Sequence, residues 1–131
     1  MYTEIEHTAD YAIRVHGADL AGLFLDSARG MYFLIGGRVE LMPTSRELRL
    51  TAPDAETLLV EWLEELAFLL ETECEMAGEI QFRDIQLTQL VAHLQTGPAI
   101  GVIRLIKAVT FHDLEIRSST RGFEATIVFD V

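Results

Sequence analysis

The chain has 131 residues, half of them hydrophobic and 24% charged, which is the length of one domain, 1–131, and a composition that buries a core rather than staying disordered. Ten Lys and Arg stand against twenty-one Asp and Glu, a formal charge of -11, so phosphate backbones are repelled and strong direct nucleic-acid binding is not expected. The single cysteine, Cys74, sits between carboxylates in Glu-Thr-Glu-Cys-Glu, which excludes an internal disulfide framework and makes a poor setting for a reactive thiol.

At the start, Met-Tyr-Thr-Glu-Ile-Glu lacks the basic and apolar regions of a leader, and nothing approaches the roughly 18 apolar residues of a membrane span; a cytoplasmic protein is expected. Residues 2–6 and 11–16 alternate like short strands around the turn His7-Thr8-Ala9-Asp10, with Tyr11, Ile13 and Val15 on one face. Asp19 is placed to cap a helix whose stripe is Leu20, Leu23, Phe24, Ser27, Met31 and Leu34, with Gly36-Gly37 as its stop. Leu48, Leu50 and Ala52 alternate with polar residues as a strand wet on one face.

Pro53-Asp54 opens a second helix, with Leu59, Trp62, Leu63, Leu66 and Leu70 inward. Its other side carries Glu61, Glu64, Glu65, Glu71 and Glu75, most simply a solvated face, and Gly78 is read as its end. Beyond it the pattern is β-like: Ile80 and Phe82, then Leu90, Ala92 and Leu94, then Ile103 to Val109, then Leu114 and Ile116. Gly97-Pro98 and Gly101 read as a mobile connection, and Ser119-Thr120-Arg121-Gly122 as a hairpin turn into a last strand, Phe123 to Val131. These elements predict an α+β two-layer sandwich, a mainly antiparallel sheet with two amphipathic helices on one face.

Four segments, in this order and spacing, carry a family resemblance: Glu6-His7-Thr8-Ala9-Asp10, Leu59-Val60-Glu61-Trp62-Leu63-Glu64-Glu65-Leu66, Ile106-Lys107-Ala108-Val109-Thr110-Phe111-His112, and Val128-Phe129-Asp130-Val131. Together they resemble archease. Tyr11-Ala12, Glu64 and Phe111 depart from the residues usual there, while Asp10 and Asp130 match. The resemblance implies a non-enzymatic accessory protein of an RtcB-type RNA ligase, which joins tRNA exons and repairs RNA through a guanylyl-histidine intermediate; the helper promotes guanylylation and repeated turnover. It also implies a divalent cation held by Asp10, Asp130 and the adjoining Val131.

Elementary chemistry is compatible with that implication. Asp10 in a turn and Asp130 beside the terminal carboxylate of Val131 would present hard anionic oxygens suited to Mg²⁺ or Ca²⁺ if the two segments adjoin. Taken alone, Asp10 is more often a turn or capping residue and Asp130 an exposed strand end, and it is the family resemblance that reverses this. His7 and His112 could add a softer ligand or move a proton, but a histidine beside a strand is more often a hydrogen-bonded structural residue. Lys107 and Thr110 are explained by a side chain extended to water and by β propensity. No Gly-x-Ser-x-Gly elbow, Gly-rich phosphate loop or zinc-type Cys/His spacing occurs. Two other readings remain: a general folding modulator or binding module, and a small metal-dependent hydrolase built on Asp10, Asp130 and His112.

Overall fold

The computed structural model describes residues 10–111 and 113–131. Among them two four-stranded antiparallel sheets form. In the first, β8 (Gly122–Asp130) runs down the middle, with β1 (Asp10–Gly17) along one edge and β6 (Ala108–Thr110) and β7 (Arg117–Ser119) along the other. In the second, β5 (Gln89–Ile100) is central, with β4 (Glu75–Ile85) on one edge and β3 (Thr44–Thr51) and the short β2 (Arg38–Val39) on the other. The helices are α1 (Leu20–Ile35) and α2 (Ala55–Glu73). The α+β class, the antiparallel pairing and the two amphipathic helices agree with expectation; the division of the strands between two sheets is added by the structure.

Each helix starts where its sequence cap stands. Asp19 accepts the Gly22 N–H and Asp54 the Thr57 N–H, both at 2.7 Å, which satisfies one of the donors that a helix start leaves without partners. α1 stops at Gly36, whose φ of +80° is the left-handed conformation that glycine adopts freely. The buried stripes of both helices join the inward faces of β1, β8, β4 and β5 in one core. Its centre is Trp62, fully buried, whose indole N–H donates to the Phe24 carbonyl at 3.0 Å and ties α2 to α1. Phe82 of β4 closes the cluster, its ring 5.1 Å from Trp62 and 6.4 Å from Phe24.

Four expectations are corrected. α2 does not run to Gly78: Cys74 turns left-handed at φ 56°, and Glu75 already belongs to β4. Glu75 therefore leaves the solvated helix face. Its carboxylate receives Arg46 of β3 (Nη2 to Oε2, 3.0 Å) and the Thr96 hydroxyl of β5 (2.6 Å), bridging three strands. That charge-assisted anchor, with Met76 and Ala77 buried behind it, outweighs the one further helical turn which the local pattern would allow.

Gly97-Pro98 is not a connection but part of β5. A Cβ on Gly97 would lie 1.6 Å from the Leu41 carbonyl oxygen, so the glycine marks where the chain between β2 and β3 crosses the strand, a close approach that only glycine permits. The stretch from Ile103 is not a strand until Ala108. Its donors are taken by the end of α1: Ile103 N–H to Ile35 O at 2.9 Å and Arg104 Nη1 to Leu34 O at 2.6 Å, carbonyls that have no partner within the helix. Leu114 and Ile116 form no strand either, since the Leu114 N–H closes a turn onto Phe111 O and the Ile116 N–H donates to Glu56.

Two outcomes are expected. Trp62→Ala should cost about 3–5 kcal/mol in urea unfolding; a loss below 1 kcal/mol would remove Trp62 from the centre of the core. Arg46 and then Thr96 hold the Glu75 carboxyl below its ordinary range, so its contribution is present above the unfolded glutamate pKa and is lost as pH falls through the lower folded value. Glu75→Gln should therefore lose about 1 kcal/mol at pH 7, discounted for the part-exposed Arg46. As pH falls through that lower folded value, the variant and the parent should unfold at converging urea midpoints.

Candidate metal centre at the ends of three strands

Strand alternation decides which residues of β8 face inward. Ala125, Ile127 and Phe129 are buried, so Val128 and Asp130 lie on the opposite face. Register then sets their neighbours: Asp130 is directly opposite Asp10 on β1 and Ala108 on β6, and Val128 is opposite Ala12 and Thr110. The Lys107 N–H donates to the Asp130 carbonyl at 2.8 Å and holds the end of β8 in place. Two carboxylates and a threonine hydroxyl thus share one face at the end of three adjoining strands.

The electrostatics of that end are unfavourable as it stands. Residues directly opposite in an antiparallel pair have Cβ atoms about 4.5–5.5 Å apart, and like charges there are destabilising. Asp10 is exposed and Asp130 half-buried. The Asp130 Oδ1 and the Thr110 Oγ1 are both shut off from solvent without a hydrogen-bond partner among the described residues, a condition that costs about 1–3 kcal/mol for a neutral group and more for an ion. A bound hard cation relieves both problems, so the donor chemistry fits one. No group of three or more His, Cys, Asp or Glu able to hold a metal occurs among the described residues. Two carboxylates supported by neutral oxygens suit Mg²⁺ or Ca²⁺, which keep water ligands, better than zinc. Val131 follows directly and packs, half-buried, against the core. His7 and His112 lie outside the described residues.

An acidic surface borders this end. Glu64, Glu65, Phe68 and Glu71 of α2 face Ile106–Val109 across a shallow groove. Partial desolvation, then the neighbouring Glu61 and Glu65, raise the Glu64 carboxyl above its ordinary range. A roomier cavity of about 990 Å³ lies at the start of α2, but its acidic groups are already engaged: Asp54 caps the helix and Glu56 accepts the Ile116 N–H.

The archease protein family matches residues 2–131. This chain belongs to the archease family. Protein archease of Methanosarcina mazei is 31% identical over 99% of this chain and 95% of its own length, and that of Saccharolobus islandicus is 30% identical over 96% and 95%. The fold is shared with a crystal structure from Thermotoga maritima described as an archease, possible chaperone, with TM-score 0.74, 19% identity and coverage of 100% of this chain and 98% of that one. A solution structure of Methanobacterium thermoautotrophicum protein 1598 gives TM-score 0.68 and 26% identity over 97% and 96%. Archease membership supports, in general terms, an accessory protein of RNA processing. No helix among the described residues is long and apolar enough to cross a membrane.

Of the site residues inferred from the archease resemblance, Asp10 and Asp130 are cross-strand partners and Val131 adjoins them. Thr110 was assigned only β propensity. Its hint was the alternation Ala108, Val109, Thr110, which sets it opposite in facing to the apolar Val109, but the β6–β8 register that places it beside Asp130 is not written locally. Asp10→Asn removes one of two opposed charges, so it should raise cation-free stability by about 0.5 kcal/mol while abolishing any rise in Tm on adding Ca²⁺ or Mg²⁺. Thermal unfolding with EDTA and with each cation reads both effects.

Proposed function

We propose that this chain is a cation-binding accessory protein that activates an RtcB-type RNA ligase, promoting its guanylylation and repeated turnover in tRNA splicing and RNA repair. The observation that carries the reading is the direct pairing of Asp10 with Asp130, with one Asp130 oxygen buried and unpartnered among the described residues. Archease membership over nearly the whole chain supports the ligase as partner.

Asp10 and Asp130 supply the anionic oxygens, and Val131 a further oxygen beside them, toward Ca²⁺ or Mg²⁺. When bound, the ion supplies positive charge against the negative charge that develops on phosphate oxygens during nucleotidyl transfer. The chain's own part is positional. β1 and β6 clamp the end of β8, the Lys107–Asp130 hydrogen bond holds the backbone there, and the carboxylates stay at the rim of the sheet, where a partner's active site can reach them. The net charge of -11 disfavours direct grip on RNA and favours a basic protein surface. The chain acts as a helper, not as the ligase.

A second reading, a general folding modulator, draws on large exposed apolar side chains: Phe33 at 83%, Leu41 at 74% and Ile103 at 70% exposure. One experiment separates the two. Ligase guanylylation is followed with GTP, with and without this protein, using wild type, Asp10→Ala and Asp130→Ala. Wild type should stimulate guanylylation and multiple turnover, and either folded variant should lose at least about tenfold of the stimulation, the scale on which metal-site residues act. Full stimulation by either variant would overturn the cation role, and unchanged ligase kinetics with wild type would favour the folding modulator.

A further inference from the structure

Thr110 is the polar residue that the family reading leaves without a task. Threonine in a strand ordinarily needs none, but this hydroxyl is cut off from solvent and has no hydrogen-bond partner among the described residues. Buried hydroxyls are nearly always satisfied, so an orphan calls for a reason. Ser27 and Thr96, both fully buried, follow the rule: Ser27 donates to Leu23 O at 2.7 Å and Thr96 to Glu75 at 2.6 Å. The Thr110 hydroxyl departs from it, and so does the Asp130 Oδ1.

The two orphans are neighbours by register. Thr110 is opposite Val128 and Ala108 opposite Asp130, so Thr110 and Asp130 are diagonal neighbours on one face of the β6–β8 pair, a separation of roughly 7–8 Å or somewhat less that two short side chains span more readily through one shared atom than by a direct bond. A direct hydrogen bond would satisfy both, and it is not formed. Two oxygens that share a face, are closed to bulk water and do not bond each other are suited to a common acceptor of lone pairs, which a hard cation is.

We propose that the Thr110 hydroxyl oxygen is a neutral ligand of the cation bound at Asp10 and Asp130, so that β6 contributes a side chain to the site as well as β1 and β8. The inference rests on the cation-binding reading above. The hydroxyl keeps its proton: it donates a lone pair, adds no negative charge, and completes the oxygen shell without deepening the repulsion between the carboxylates. A hard ion that accepts alcohol and carbonyl oxygens matches this set.

Titration calorimetry with Ca²⁺ and with Mg²⁺, together with thermal unfolding in EDTA, tests the assignment on wild type, Thr110→Val, Thr110→Ser and Asp130→Asn. Valine keeps the β-branched shape and removes the oxygen. Thr110→Val should bind about tenfold more weakly yet melt about 2–4 °C higher in EDTA, because an unsatisfied buried hydroxyl has been removed. Thr110→Ser should bind within about threefold of wild type, and Asp130→Asn should lose binding. A purely structural threonine would give the reverse for valine, unchanged affinity whatever the melting temperature. Wild-type affinity in Thr110→Val alongside loss in Asp130→Asn overturns the Thr110 assignment alone. Absence of binding by wild type overturns the cation reading and this inference with it.

Discussion

The placement of β8 between two partners is the constraint on which the rest depends. A strand with neighbours on both sides has its backbone donors and acceptors satisfied by the sheet, and its register cannot slip by one residue without turning Ala125, Ile127 and Phe129 out of the core. Because those three apolar side chains lock the strand, Asp130 has no choice of face. Burial of Phe129 is in this sense what puts a carboxylate opposite Asp10. The charge repulsion there is a small penalty against the burial of three apolar residues, each worth on the order of 1–3 kcal/mol.

The same logic runs through the second sheet with the opposite electrostatic outcome. There β5 is central, and the carboxylate at one end, Glu75, is met by Arg46 and Thr96. Glu75 is a satisfied anion that holds three strands together. Asp130 also stands at a strand end, that of the central strand of its sheet where Glu75 opens an edge strand, but it faces another carboxylate and an alanine. One end is finished by the protein's own residues; at the other, two carboxylates stand directly opposite each other. Exposure does not separate the two carboxylates, since both are partly buried; their partners do.

The helices link the two sheets. Trp62 bonds to the backbone of α1 and stacks near Phe82 of β4, while α2 also borders β6 with its acidic side. The rigid centre is thus about the packing of aromatic rings, and the acidic rim lies on the outward side of the same helix.

Much of the secondary structure was legible, because caps and periodicity are local. Asp19, Gly36 and Asp54 mark helix ends by chemistry confined to a few residues, and the stripes through Leu23 and Leu59 follow from 3.6 residues per turn. The misread segments share one cause: a distant partner supplied what the local pattern lacked. Glu75 left the helix for Arg46, Ile103 and Arg104 gave their donors to α1, and Gly97 stayed in a strand because another segment crosses it.

By itself the sequence determined the α+β class, both helices, the hairpin at 119–122 and the surplus of negative charge, and through resemblance it singled out Asp10 and Asp130 as candidates. Only the tertiary structure decided that those two aspartates are cross-strand partners, that Thr110 stands diagonally beside one of them, and that the strands divide into two sheets. The physical reason is the range of the interactions. Caps, turns and helical stripes are settled within about one helical turn of chain, whereas register between strands far apart in sequence is settled by which side chains the whole core agrees to bury.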